Sequence, residues 1–248
     1  MVAAKQRIEQ QAAWVLHTLP WRETSLIVEV FSIDHGRVAL AAKGARRPMS
    51  QLRGVLMGFQ PLLMDWSGGG EVKTLIRAEW RGGQPLLAGK ALLCGYYLNE
   101  LIVQLTARED PHPVLFQAYE LAMSALARGA ELPPVLRRFE LSLLHELGYG
   151  IALEGEGFGA ASIEADQSYL YIIEQGPVAL ADVGGDGLSA DGEGIVLSGQ
   201  TLIDLSADDL SRPQTLAESK RLLRALINHY LGGRPLQSRR VLKELLEL

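Results

Sequence analysis

Apolar side chains alternate along residues 25–31, with Leu26, Val28 and Val30 on one side and Ile27 and Phe31 on the other, and the alternation resumes at Val38 and Leu40. A period of two interrupted by Asp34-His35-Gly36 predicts two strands joined by a tight turn. Residues 12–19 read as an earlier strand ended by Pro20, with Trp21-Arg22-Glu23-Thr24 as its connection. Residues 55–64 and 72–78 are the next two strands, separated by Asp65-Trp66-Ser67-Gly68-Gly69-Gly70, whose glycines permit the positive φ of a hairpin. Five short strands in this span fit a small closed barrel of the oligonucleotide-binding (OB) type. An SH3-like or immunoglobulin-like unit has a comparable strand count, so the pattern alone leaves the topology open.

After Gly82-Gly83-Gln84-Pro85 the period lengthens toward 3.6. Residues 86–105 are apolar nearly all round, as in a helix enclosed by others. A second helix places Val114, Leu115, Ala118, Leu121, Ala122, Ala125 and Leu126 on one face, with Gly129 as its cap. Pro133-Pro134 opens a third, through Leu136, Phe139, Leu143 and Leu147, closed by Gly148. From 151 to about 209 the helical pattern disappears. Segments 154–157 and 182–194 are acidic and glycine-rich, and residues 169–174 and 178–181 read as a small hairpin around Gly176-Pro177. Such an insert buries little and is expected to lean on the helices. A helix from 213 to 231 and a last one capped by Ser238 complete the chain. The predicted class is α+β: an N-terminal five-stranded OB barrel over residues 1–82, then a helical domain over 83–248 that carries a β-containing insert at about 151–209.

Charge changes the picture only when divided along the chain. The net charge is −5. The first eighty residues nevertheless carry ten Lys/Arg against seven Asp/Glu, residues 151–215 one against twelve, and residues 216–248 seven against three. Both ends are basic and one internal stretch is strongly acidic, so the total says little about a polyanionic partner. Cys94 is the single cysteine, which excludes an internal disulfide and a cysteine-based metal site and fits a reducing cytoplasm. The N-terminus lacks the apolar core of a signal peptide. Lys90, Asn99, Glu100 and Gln104 interrupt the most hydrophobic span, which makes it a buried helix rather than a membrane helix.

The second strand runs into a pinned basic loop, with Lys43, Arg46 and Arg47 spaced by Gly44 and Ala45 and stopped by Pro48. Such a loop suits an anionic backbone better than a small neutral ligand. Arg22, Arg37, Arg53 and Lys73 are further candidates for phosphate contacts. Trp21, Phe31, Phe59 and Trp66 are candidates for base stacking, although alternation assigns Phe31 and Phe59 to the core. Arg137-Arg138, near a helix start where the dipole does not favour cations, can fork onto the carboxylate of an acidic, hydrophobic peptide end. A salt bridge to Glu140, Glu146 or the acidic insert is the equal alternative. Arg234, Arg239, Arg240 and Lys243 form a second basic cluster, either a solvated helix face or another polyanion contact.

Signatures of catalysis are missing. His145-Glu146-Leu147-Gly148-Tyr149 begins like an H-E-x-x-H zinc helix, but Tyr149 stands where the second histidine is required. Gly184-Gly185-Asp186-Gly187-Leu188-Ser189 resembles one unit of a calcium-binding roll, yet it is not repeated. There is no G-x-S-x-G, Walker A or strand-linked G-x-G-x-x-G motif.

The segments VLHTLPWRETSLIVEVFSIDHGRVALAAKGARR, GEVKTL, GYYLNEL, LRRFELSLLHELGYG and YLGGRPLQSRRVLKEL, in that order and over nearly the whole chain, resemble the RecO family of DNA repair and recombination mediators. The resemblance implies an N-terminal OB fold, a helical C-terminal domain and an embedded small β insert. Many members hold a four-cysteine zinc site in that insert. No cysteine occurs between 151 and 209, so this chain resembles the zinc-free branch, and neither metal nor other cofactor is expected. The resemblance further implies a non-enzymatic protein of the cytoplasm and nucleoid that binds single- and double-stranded DNA and anneals complementary strands. With RecR it would help RecA replace single-strand-binding protein. By motif, Arg37, Lys43, Arg46 and Arg47 would be its DNA contacts, and Arg137 its contact for the tail of single-strand-binding protein. An adaptor whose barrel binds protein instead of DNA is the alternative.

Overall fold

The computed structural model describes residues 7–151, 163–182 and 194–246, the last five of these as backbone only. Segment 154–157 and nearly all of segment 182–194, the expected acidic glycine-rich parts, lie outside the described residues. The chain divides into two compact units, Met1–Ala130 with Leu236–Leu248, and Glu131–Pro235.

The first unit is built on a closed barrel with strand order β1-β2-β3-β5-β4, comprising β1 (Arg7–Trp21), β2 (Ser25–Ser32), β3 (Gly36–Ala42), β4 (Pro61–Ser67) and β5 (Val72–Trp80). Parallel pairing of β3 with β5 closes it, Ala39 facing Val72 and Ala41 facing Thr74. A one-turn helix, α1 (Leu52–Val55), lies between β3 and β4. This is the OB fold that the alternation predicts. Two expected strands differ most in their bounds, and β5 runs two residues past its expected end at 78. The strand expected from residue 55 begins at Pro61, because α1 and a turn occupy the first part of that apolar run. The first strand is almost twice its expected length, because it serves two neighbours: residues 7–14 pair with β4 and residues 13–21 with β2. A bulge between Ile8 and Gln11 bends it, and the buried Asp65 carboxylate accepts the displaced Gln10 N–H at 2.7 Å.

Alternation sends Ala13, Val15, Val28, Val30, Val38, Leu40, Leu62, Met64 and Leu75 into the barrel. The opposite face of β1 and β2 is buried as well, as the apolar character of both sides of residues 25–31 requires: Trp14, Glu29 and Phe31 are each at most 1% exposed. Helices α2 (Gly89–Leu105) and α3 (Pro113–Ala127) cover it. Phe31 meets Phe116 with ring centroids 5.5 Å apart, and Trp14 meets Tyr119 edge-on at 5.5 Å. Within this apolar seam the Asn99 Nδ2 donates to the Leu16 carbonyl at 2.7 Å, and the Tyr119 hydroxyl donates to Asn99 Oδ1 at 2.5 Å. Burial pushes the Tyr119 hydroxyl pKa far up, so it stays a donor. Gly36 closes the β2–β3 turn at φ 61°, where a Cβ would run into the Asp110 carbonyl.

The last helix, α7 (Gln237–Leu246), also belongs to this unit. Its expected cap is corrected: Ser238 donates instead of accepting. The Glu100 carboxylate takes the N–H groups of Gln237 and Ser238 at 2.7 and 2.9 Å and the Ser238 hydroxyl at 2.5 Å, supplying negative charge where the helix dipole favours it.

The second unit contains α4 (Leu132–Glu146), a three-stranded antiparallel sheet in the order β7-β6-β8, and helices α5 (Gly199–Ser206) and α6 (Pro213–Tyr230). The expected hairpin is β6 (Ser168–Ile172) with β7 (Gly176–Ala179). A third strand, β8 (Ile195–Ser198), adds to that hairpin, and α5 corrects the reading of 151–209 as free of helix. Ser198 caps α5 by accepting the Thr201 N–H, and Tyr171, Leu197, Leu202 and Leu210 are buried, so this region has a core of its own. Replacing Asn99 by alanine strands the Leu16 carbonyl and the Tyr119 hydroxyl in an apolar seam, so chemical denaturation should report a loss on the order of 2 kcal/mol.

Candidate nucleic-acid interface

Turn chemistry gathers the basic residues at one end of the barrel. The β1–β2 connection, Arg22 to Thr24, follows the last strand pair, Trp21 with Ser25. Its Thr24 carbonyl accepts the Arg46 N–H at 2.9 Å, and the Ser25 hydroxyl accepts the Gly44 N–H at 3.4 Å. These bonds lay residues 22–25 beside residues 43–47. Gly44, at φ 71°, has the Arg47 side chain 3.5 Å from where its Cβ would stand, so Arg47 folds across it. Ala45 points the other way and is 1% exposed in the barrel core, which anchors the loop. Successive turn hydrogen bonds, Arg47 to Gly44, Ser50 to Arg47 and Arg53 to Ser50, carry the chain into α1. Arg22, Lys43, Arg46, Arg47 and Arg53 are all exposed. Among the described residues none of the five is ion-paired. The Arg22 guanidinium lies 4.1 Å over the Trp21 ring, a cation–π contact.

Arg37 and Lys73 are placed differently. The Arg37 Nη1 donates to Glu29 at 3.1 Å and its Nη2 to the Thr106 carbonyl at 2.8 Å. Arg108 adds two bonds to the same Glu29, at 3.1 and 2.7 Å. Glu29 is buried because β2 is covered on its outer side, and a buried carboxylate needs cations. Burial lowers the Arg37 pKa, opposed by the Glu29 charge. The Glu29 hydrogen bonds raise that of Arg108. Lys73 pairs with Glu109. The structure therefore commits Arg37 to holding the helices on the barrel, outside the exposed basic group.

Of the aromatic candidates, Phe31, Phe59 and Trp66 are buried, Trp66 in the barrel interior, and Trp21 lies beneath Arg22. An aromatic that sequence reasoning missed is Trp80, 52% exposed at the end of β5. Continuing the alternation two positions past Ala78 would have found it.

In the second unit Arg137 and Arg138 diverge. They sit in the second turn of α4, past the orphan N–H groups, so the dipole cost expected from a helix start is small. Arg137 is 8% exposed and its Nη2 donates to Glu140 at 2.6 Å. Arg138 is exposed and meets Asp208 at 3.1 Å. The C-terminal basic residues separate as well. Arg234 belongs to the second unit and bonds the Leu231 carbonyl at 3.0 Å, whereas Arg239 lies in the first and bonds the Tyr97 hydroxyl at 3.1 Å. Arg240 is exposed on α7, and the Lys243 side chain is outside the described residues. Among the described residues no group of three or more His, Cys, Asp or Glu side chains is placed to hold a metal ion, and no helix is long and apolar enough to cross a membrane.

A closed barrel of this strand order, with a short helix between β3 and β4 and exposed cations on its connections, defines an OB-fold protein extended by helices and a small sheet. The chain belongs to the RecO family. The family descriptions "Recombination protein O N terminal" and "Recombination protein O C terminal" match residues 7–83 and 86–240. It is 69% identical over 247 residues to the DNA repair protein RecO of Azoarcus sp. (strain BH72), with the whole of both chains covered. It is 68% identical over 248 residues to that of Aromatoleum aromaticum, again in full. The RecO protein of Dechloromonas aromatica is 52% identical, covering 98% of this chain and 99% of that one.

Geometry separates the two arginines of α4 energetically. Arg137→Ala leaves Glu140 without its arginine at 1% exposure, and should cost on the order of 3 kcal/mol in chemical denaturation. Arg138→Ala removes an exposed pair and should cost under about 1 kcal/mol.

Proposed function

We propose that this protein is a recombinational repair mediator that binds single- and double-stranded DNA through the basic end of its barrel. In this reading it anneals complementary strands and, with RecR, helps RecA load onto DNA covered by single-strand-binding protein. Membership of a family whose relatives are named DNA repair proteins supports the reading. The observation that carries it is the Arg46–Thr24 hydrogen bond, which brings Arg22 together with Lys43, Arg46 and Arg47 as exposed cations. Unpaired cations on a pinned loop neutralise phosphates and release counterions without first breaking an internal ion pair. Arg37 and Lys73, already neutralised by Glu29 and Glu109, contribute less.

Annealing follows from the same chemistry. A surface that holds backbones by charge leaves base edges free to pair, and it lowers the repulsion between two strands. No reacting group is required.

The contact for the acidic tail of single-strand-binding protein is assigned to α4. Arg138 is its exposed cation, held by a solvent-exposed Asp208 that a competing carboxylate can displace. A ligand reaching Arg137 must replace Glu140, and the Arg137 Nε, which is buried with no hydrogen-bond partner among the described residues, is the donor such a ligand would gain.

Replacing Lys43, Arg46 and Arg47 together by alanine should flatten the plot of log affinity for single-stranded DNA against log salt by about two units, and should slow annealing while leaving the thermal midpoint in place. An unchanged slope, or no annealing by the unaltered protein, removes the DNA-binding reading in favour of a protein-binding adaptor. Arg138→Ala should weaken binding of the tail peptide several-fold with DNA affinity unaltered; equal losses in both would place the two ligands on one surface.

A further inference from the structure

Trp80 is the last residue of β5, paired with Leu62 of β4. Its indole N–H donates to the Val55 carbonyl at 3.3 Å. That bond fastens the ring to α1, which carries the exposed Arg53 and continues the connection on which Lys43, Arg46 and Arg47 stand. The ring remains 52% exposed, and among the described residues it has no aromatic or cationic partner. Ala78, two residues earlier on the same side of the strand, packs against the barrel core, so the strand directs Trp80 to the barrel's rim. Filling the rim needs an apolar group but not an indole with half its surface in water. Met57, 36% exposed, and Gly54 and Gly58, each with open space where a Cβ would be, lie on the same connection as Val55.

We propose that Trp80 is a base-stacking platform: an unpaired nucleobase of a single strand lies on the indole while Arg53 and the loop cations hold the flanking phosphates. The inference rests on the DNA-binding reading above and adds to it a contact to bases. An exposed aromatic surface beside cations that lack carboxylate partners suits a ligand that is both planar and anionic. An apolar protein partner would use the ring but leave Arg53, Lys43, Arg46 and Arg47 without counter-charges. The two strand classes should then separate, because a paired base in a duplex offers no free face.

The test is binding of the full-length protein to an oligothymidylate and to an abasic strand with the same number of phosphates, across a salt series. Trp80→Leu should weaken oligothymidylate binding about tenfold, within the range expected for one stacked base. It should leave the salt slope and the abasic affinity as they were. Trp80→Phe, which also loses the bond to Val55 but keeps a π face, should stay within about threefold of the unaltered protein. If Trp80→Leu binds oligothymidylate as tightly as the unaltered protein does, or if both strands weaken together, the platform is overturned while DNA binding stands. If the unaltered protein binds neither strand, the DNA-binding reading falls and the platform with it.

Discussion

The hydrogen bond from Asn99 to the Leu16 carbonyl fastens α2 to the outside of the barrel, and the character of that outer face depends on it. Phe31, Phe116, Trp14 and Tyr119 close around it, and β2 becomes a strand buried on both sides. A strand in that position cannot expose polar groups, so Glu29 is taken out of water and must be neutralised. Arg37 and Arg108 do so. Two cations that would look like ligand contacts on an open sheet are thereby given to cohesion.

The consequence for function is a matter of surfaces. With helices over β1 and β2, the sheet face offers no open groove there, and the exposed cations concentrate where the strands turn. The β1–β2 connection and the start of the β3–β4 connection are held to each other by the Arg46 N–H on the Thr24 carbonyl and the Gly44 N–H on the Ser25 hydroxyl. The charges therefore stand on a fixed frame, which under the proposed function lowers the entropy lost when a flexible strand is captured. Ala45 contributes from below, since a loop with one residue in the core cannot swing away.

Much of the barrel was legible because a period of two over residues 25–42 admits one reading, and Gly36 and Gly68–Gly70 mark the turns. Other features were not. Nothing local distinguishes an apolar run that begins as the end of a helix and a turn from one that is wholly strand, so residues 55–60, the last of α1 and the turn after it, read as strand. Region 151–209 reads as glycine-rich and acidic, and its short elements, β8 and α5, lie below the length at which periodicity speaks. In the candidate site the loop cations were visible as a pattern, whereas the burial of Arg37 and Arg137 depends on Glu29 and Glu140, whose own burial is a tertiary fact. The RecO resemblance placed these arginines on motifs without saying which way each side chain faces. Trp80 lies two residues past Ala78, beside Glu79 and the Arg81-Gly82-Gly83 turn, where the local pattern does not show that β5 continues.

The central claim is that DNA is held at the turn end of the barrel and not on its helix-covered face. Hydrogen–deuterium exchange of the full-length protein with and without a saturating single strand tests this most directly. Amides of residues 22–25 and 43–56 should gain protection on binding, while those of α2 and α3 remain unchanged. Protection confined to α2, α3 or the second unit, with the turn end unaltered, would contradict the account.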